Sequence, residues 1–191
     1  MIDNIAHHFQ STPLKGVTLI EWPIHRDVRG EYFEYYNEQE FKFQLEHYNR
    51  FYNKSLQFPF PLFVQDAIST SRQHVLRGFH GSFDGNWKLV QCLYGEIYSV
   101  IMDNNKDSDQ YLQWASFILS DKNRQQLLIA PGMGNSILVM SNYAIYHYKQ
   151  TQPYKGPNSQ FTLKYNDPKI RAVWPIQHPI LSERDANAQL L

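Results

Sequence analysis

The 191-residue chain has a single cysteine, Cys92, which excludes an internal disulfide framework and fits a reducing compartment. It also lacks an excess of either charge. Lys and Arg together number 18, as do Asp and Glu, so no overall field favours nucleic acid or an anionic membrane. No stretch approaches the roughly 20 apolar residues of a membrane helix. The first 25 residues lack a basic segment followed by an apolar run, and no signal peptide is expected. Gly-rich phosphate loops and a Gly-x-Ser-x-Gly elbow are missing, which sets aside two common nucleotide and hydrolase chemistries. His74 and His80 are not spaced as His-x-His, and no further His or Cys completes a ligand set, so neither a metal nor another cofactor is expected. The length suits one well-buried domain over residues 1–191, with a core from about 15 to 185, and the expected location is the cytoplasm.

Aromatic side chains, by contrast, are plentiful at 15 %, with 13 Tyr, and they suit the pleated, half-buried surface of strands. Residues 17–24 read as an opening strand, His25–Gly30 as a turn and Glu31–Tyr36 as a short aromatic strand. Residues 37–52 place apolar side chains at 41, 45 and 48 behind early acids, which predicts an amphipathic helix. Phe58-Pro59-Phe60-Pro61 breaks any regular element. Beyond it, strands are expected at 62–70, 74–80, 87–94, 96–103, 112–119, 125–130, 136–140, 143–151 and 160–166, with Pro131-Gly132-Met133-Gly134 among the turns. This spacing predicts an all-β jelly roll with a few short flanking helices. The tail after Trp174-Pro175 is expected to lie across its surface. Edge strands and so many aromatics point to a homodimer.

Chemistry-bearing residues concentrate in Gln65-Asp66, Arg77-Gly78-Phe79-His80-Gly81 and Lys88-Leu89-Val90. Alternation puts Lys88 on the face of Val90 and Cys92. Two readings stand for it: an ammonium aimed at an anion in the interior, or one that snorkels to water at a strand entrance. Arg77 and His80, three apart, face opposite ways on a regular strand, unless Gly78 carries a bulge that turns both to one cavity. A lone histidine is by default a surface or packing residue, and becomes a catalyst only with a carboxylate to orient it and a cavity to serve. Tyr146 and Tyr148 share a face, and ordinary packing explains each. Asn166-Asp167-Pro168 reads as a turn whose Asp bonds its own backbone. Asp27-Val28-Arg29-Gly30 reads as a turn with a local ion pair.

In order, the fragments Asp27-x-Arg29-Gly30-x-x-Phe33-Glu34, Phe63-Val64-Gln65-Asp66, Val75-Leu76-Arg77-Gly78-x-His80, Lys88-Leu89-Val90-x-Cys92, Gly95-Glu96 with Asp103, Tyr148-Lys149, Asn166-Asp167, Trp174-Pro175 and Leu181-Ser182-x-x-Asp185 resemble the dTDP-4-dehydrorhamnose 3,5-epimerase family. The resemblance implies a metal-free jelly-roll cupin, a double-stranded β-helix that is usually a homodimer. It implies epimerisation at C3, C5 or both of a 4-keto sugar carried on a nucleoside diphosphate. The C4 ketone acidifies the protons on C3 and C5 because the carbanion delocalises into an enolate. By resemblance His80 is the base, oriented by Asp167. Tyr148 is the acid on the opposite face, and Lys88 the cation beside the enolate oxygen. An imidazole, with an ordinary pKa of about 6.5, suits reversible proton abstraction. Arg29, Glu34, Gln65 and Arg77 match positions that hold the nucleotide, its diphosphate and the neighbouring sugar, and arginine's planar fork suits a diphosphate.

Three positions depart from the family pattern. Asn135 replaces the histidine that commonly ends the Gly-Phe-Ala-His-Gly-Phe segment and is counted among the substrate-binding residues. Ala67 replaces an Asn, and Ser99 an Asp. Together they suggest a changed sugar or stereochemical outcome. Arg-Gly-x-His-Gly with Gly-Asn-Ser resembles members acting on GDP-linked 4-keto-heptoses for capsule, lipopolysaccharide or other surface polysaccharides. The alternatives are a cupin 3,4-ketoisomerase of a nucleotide sugar and a non-catalytic sugar-nucleotide-binding cupin.

Overall fold

A computed structural model describes residues 8–51 and 62–191. Along the chain its elements are β1 (Phe9–Ser11), β2 (Val17–Ile20), β3 (His25–Asp27), β4 (Gly30–Tyr32), α1 (Glu38–Phe51), β5 (Gln65–Arg72), β6 (Leu76–Gly81), β7 (Lys88–Tyr94), β8 (Glu96–Asp103), β9 (Trp114–Ser120), β10 (Gln126–Ile129), β11 (Met133–Val139), β12 (Tyr143–Gln150), β13 (Phe161–Thr162) and α2 (Glu183–Ala186). The strands form a six-stranded sheet in the order β1-β2-β10-β7-β12-β5 and a five-stranded sheet in the order β13-β6-β11-β8-β9. Within both sheets, neighbours pair antiparallel. This is the jelly roll expected from the sequence.

The inner faces of the two sheets meet in one core, where Val90, Cys92, Leu127 and Tyr146 from the first sheet join Ile97, Ile101, Ile137 and Val139 from the second. Both outer faces are covered as well. The helix α1 lays Phe41, Leu45 and Tyr48 on Ile20, Leu89 and Leu128, and the Asn37 side chain caps it by accepting from the Gln39 and Glu40 amides. On the far side, Leu163, Ile170 and Trp174 cover Phe79, Val100 and Met102. Because these central strands are covered on both faces, β10 and β11 are buried at every position, without the in–out alternation of a half-exposed strand. Each fully buried Leu, Ile or Phe contributes about 1.5–3 kcal/mol.

Several boundaries differ from expectation. His25–Gly30 is part of a small β3–β4 hairpin rather than a plain turn, and the strand expected over 31–36 ends at Tyr32. The last strand, expected over 160–166, shortens to Phe161–Thr162. In Pro131–Gly134 the turn is confined to Pro131-Gly132, with Gly132 at φ 82°, whereas Gly134 is a strand residue paired with Met102. A Cβ at Gly134 would stand 2.9 Å from the Met102 sulfur, so close packing rather than a turn accounts for that glycine. The break at Phe58–Pro61 lies outside the described residues. The tail does more than cross the surface. Ile180 exchanges backbone hydrogen bonds with His74 and Leu76 at 2.8 and 2.9 Å, and α2 then turns inward.

Candidate active site

Strand β6 solves the problem of aiming two polar side chains three residues apart at one place. It pairs His80 with Asn135 and Arg77 with Ile137 of β11, so three steps on β6 match two on its neighbour. The extra residue makes a bulge. Gly78 adopts φ 118°, and a Cβ there would lie 2.5 Å from the Asn135 carbonyl oxygen. Phe79 turns into the outer core, while Arg77 and His80 line one cavity of about 280 Å³ between the sheets.

His80 is oriented by Asp185, with Nε2 2.6 Å from Oδ1. An ionised carboxylate only accepts, so Nε2 carries the proton, and Nδ1, without a hydrogen-bond partner among the described residues, is the basic nitrogen. Asp185 is 3 % exposed. Burial alone raises its pKa, but hydrogen bonds and charge from His80, with help from Ser182 and the Gly78 amide, outweigh it and hold the carboxyl below its ordinary range. Ser182 and Asp185 form the cap of α2: the Ser182 hydroxyl accepts from the Asp185 amide at 3.1 Å and donates to Oδ2 at 3.0 Å. One short helix thus fixes the carboxylate from two sides.

This corrects the role expected for Asp167. Its carboxylate is buried, but it accepts from the backbone amides of Lys169 and Leu191, both at 2.7 Å, and has no bond to His80. One bond belongs to the Asn-Asp-Pro turn, and the other ties the carboxylate to the distant Leu191.

Lys88 lies on the inward face with Val90 and Cys92, in the cavity. Burial, assisted by the neighbouring Arg184 guanidinium, pushes its pKa down to about 8. On the adjacent strand β12, Tyr148 stands opposite Val90 and Gln150 opposite Lys88, so alternation delivers Tyr146, Tyr148 and Gln150 to the same cavity. Opposite Tyr148 on its other side is Ala67 of β5. Asn135 donates through Nδ2 to the Tyr146 hydroxyl at 2.8 Å. Its Oδ1 and the Ser99 hydroxyl are buried without hydrogen-bond partners among the described residues.

The structure therefore gathers Arg77, His80, Lys88, Asn135 and Tyr148 around one space. Gln65 stands just behind it, accepting from the Gln150 side chain at 2.9 Å and the Tyr154 amide at 2.7 Å, and both of those residues line the cavity. Arg29 and Glu34 are elsewhere. Arg29 sits at the tip of the β3–β4 hairpin, 87 % exposed and paired with Asp27 at 2.5 Å, and Glu34 lines a separate cleft with His25 and Tyr32. Burial of the whole hairpin is slight; Val28 is fully exposed.

Sequence reasoning missed Asp185 in its orienting role, and Arg184 beside it. Arg184 lines the cavity, with Nε donating to the Thr162 hydroxyl at 2.8 Å and a buried Nη2 that has no partner among the described residues. The Ser-x-x-Asp cap was the available signal for this helix, but not for where it docks. Among the described residues lining the cavity, Arg77, Lys88 and Arg184 supply positive charge and none is Asp or Glu. Such a lining takes an anion. It also holds a carboxylate-oriented imidazole and a phenol, the groups needed to remove and return a carbon-bound proton.

The family model described as dTDP-4-dehydrorhamnose 3,5-epimerase matches residues 11–191. A dTDP-4-dehydrorhamnose 3,5-epimerase of Salmonella typhimurium is 37 % identical over 183 residues, spanning 94 % of this chain and 93 % of the relative. One of Methanothermobacter thermautotrophicus is 34 % identical over 183 residues, spanning 94 % and 91 %. Among solved structures, the Bacillus anthracis enzyme with TDP and PPi bound superposes with a TM-score of 0.84 at 30 % identity, covering 96 % of this chain and 98 % of that one. The Legionella pneumophila dTDP-6-deoxy-D-glucose-3,5-epimerase, in complex with dTDP-4-keto-L-rhamnose, gives 0.81 at 32 % identity, covering 95 % and 91 %.

Proposed function

The chain belongs to the dTDP-4-dehydrorhamnose 3,5-epimerase family, and from that premise we propose that it inverts C3, C5 or both in a nucleoside-diphosphate-linked 4-keto sugar, with His80 as the base. The observation that carries this reading is the His80–Asp185 pair at 2.6 Å, set in a cavity whose described lining has three cations and no carboxylate. Nδ1 of His80 takes the proton from the carbon beside the ketone. Asp185 stabilises the imidazolium that forms. Lys88 holds the enolate oxygen, where a preorganised cation lowers the barrier by several kcal/mol. Tyr148, reaching in from the other sheet, returns a proton to the opposite face. Arg77 and Arg184 supply donors for the diphosphate.

A homodimer belongs to the same proposal. The exposed β3–β4 hairpin carries Arg29 away from its own cavity, and in a dimer it would reach the partner's. The cytoplasm is the proposed site of action, and sugars destined for surface polysaccharide, GDP-linked 4-keto-heptoses among them, are the proposed substrates alongside dTDP-linked 6-deoxy sugars.

The test is incubation with dTDP-, GDP- and CDP-linked 4-keto sugars in deuterated water, followed by NMR of the product. Deuterium is expected at C3, C5 or both, and His80→Asn should abolish its entry. No exchange with any of the three would remove the reading, and wild-type exchange by His80→Asn would remove the base.

A further inference from the structure

Asn135 is the cross-strand partner of His80, and its amide crosses the cavity to the opposite sheet, where Nδ2 donates to the hydroxyl of Tyr146 at 2.8 Å. A phenol oxygen that accepts still has its own proton to place. Among the described residues no acceptor receives that proton, although Tyr146 is only 7 % exposed. An enclosed donor without an acceptor is disfavoured unless something in the cavity accepts from it. The ring is fixed on both flanks, by the amide and by Tyr148 at a centroid distance of 5.7 Å. Burial keeps the phenol protonated well beyond its ordinary range. Along β12, Tyr146 is one inward row from Tyr148 and two from Gln150, which faces Lys88. Its hydroxyl is therefore separate from the cation that the proposed mechanism assigns to the ketone.

We propose that Tyr146 is a sugar-contacting, specificity-determining residue: its hydroxyl, positioned by Asn135, donates to a hydroxyl oxygen of the substrate sugar on the side of the cavity where His80 works. This rests on the proposed nucleotide-sugar substrate and adds to it a residue that reads the sugar rather than the nucleotide. It also gives Asn135 a role: a neutral amide opposite the base tethers the phenol without adding a second titrating ring.

The experiment is calorimetric binding of dTDP-glucose and GDP-mannose, each against its bare nucleoside diphosphate, to wild type, Tyr146→Phe and Asn135→Leu. Tyr146→Phe keeps the ring and its packing. It should weaken the sugar nucleotide by about tenfold, the scale of one enclosed hydrogen bond, and leave the bare nucleotide unchanged. Asn135→Leu should weaken it in the same direction, and the double variant should lose less than the product of the two single losses. Unchanged affinity in Tyr146→Phe, or an equal loss for sugar nucleotide and bare nucleotide, would overturn the proposal. So would a wild-type protein that binds neither sugar nucleotide more tightly than its nucleotide. These readings need no turnover, so they separate from failure of the epimerase reading, which is lack of deuterium exchange.

Discussion

Asp185 lies 105 positions beyond His80 in sequence, yet its Oδ1 is 2.6 Å from the imidazole Nε2, while Asp167 spends its carboxylate on two backbone amides. The two aspartates therefore separate function from stability. Asp185→Asn should lower kcat by about 10²-fold or more, because the wrong tautomer of His80 is then stabilised. Asp167→Asn should leave kcat near wild type and lower unfolding stability by about 1–3 kcal/mol, as expected for weakened bonds to a charged acceptor. Steady-state kinetics and urea titrations on both variants check the pair.

In the proposed mechanism Lys88 is expected to set the alkaline side of the pH profile. It must be charged to hold an enolate, and its pKa stands at about 8. The value of kcat/KM should fall above about pH 8, whereas the fall in kcat should come at higher pH, because a bound anion restores the charged form. The stability effect has the opposite sign. A lysine whose folded pKa lies below 10.5 binds its proton more weakly than the unfolded chain does, so stability rises between about pH 8 and 10.5. Lys88→Met should flatten that rise, on the order of 2–3 kcal/mol, in denaturant midpoints measured across the window.

Gly78 holds the bulge that aims Arg77 and His80. Gly78→Ala meets both a positive φ and a carbonyl oxygen 2.5 Å from the new Cβ. It should destabilise the protein by about 2–4 kcal/mol. Activity should fall beyond what the unfolded fraction explains, since the imidazole is re-aimed. Comparison of kcat with the folded fraction from circular dichroism checks this.

Arg29 provides a test of assembly. If the hairpin serves a partner's cavity, Arg29→Ala and His80→Asn are each nearly inactive alone. Mixing them under conditions that exchange subunits should restore activity, because one site of each mixed dimer has both residues. Activity that stays at the level of the separate variants, or a monomer in sedimentation velocity, would count against the shared site.

Much of this arrangement was legible in the residues. The apolar spacing at 41, 45 and 48 gives α1 because that face packs on Ile20 and Leu128. Alternation from Val90 and Cys92 points Lys88 inward, and the three-residue spacing of Arg77 and His80 calls for the bulge that Gly78 makes. The turn chemistry of Asn166-Asp167-Pro168 accounts for the bond from the Lys169 amide but not for the one from Leu191, and the carboxylate on His80 is that of Asp185 instead. What stays hidden is where a distant segment docks. Ser182-x-x-Asp185 announces a helix start, but nothing local says that the helix closes on β6. The β3–β4 hairpin is similar: its residues fit a turn, and its distance from the cavity is set by the whole sheet order.

The docking of α2 also gives the site a timetable. A ribosome delivers the chain from its N-terminus, so His80, Lys88 and Tyr148 are all made before Asp185, whose carboxylate holds the imidazole. The imidazole is oriented only once α2, a helix of four residues, has docked.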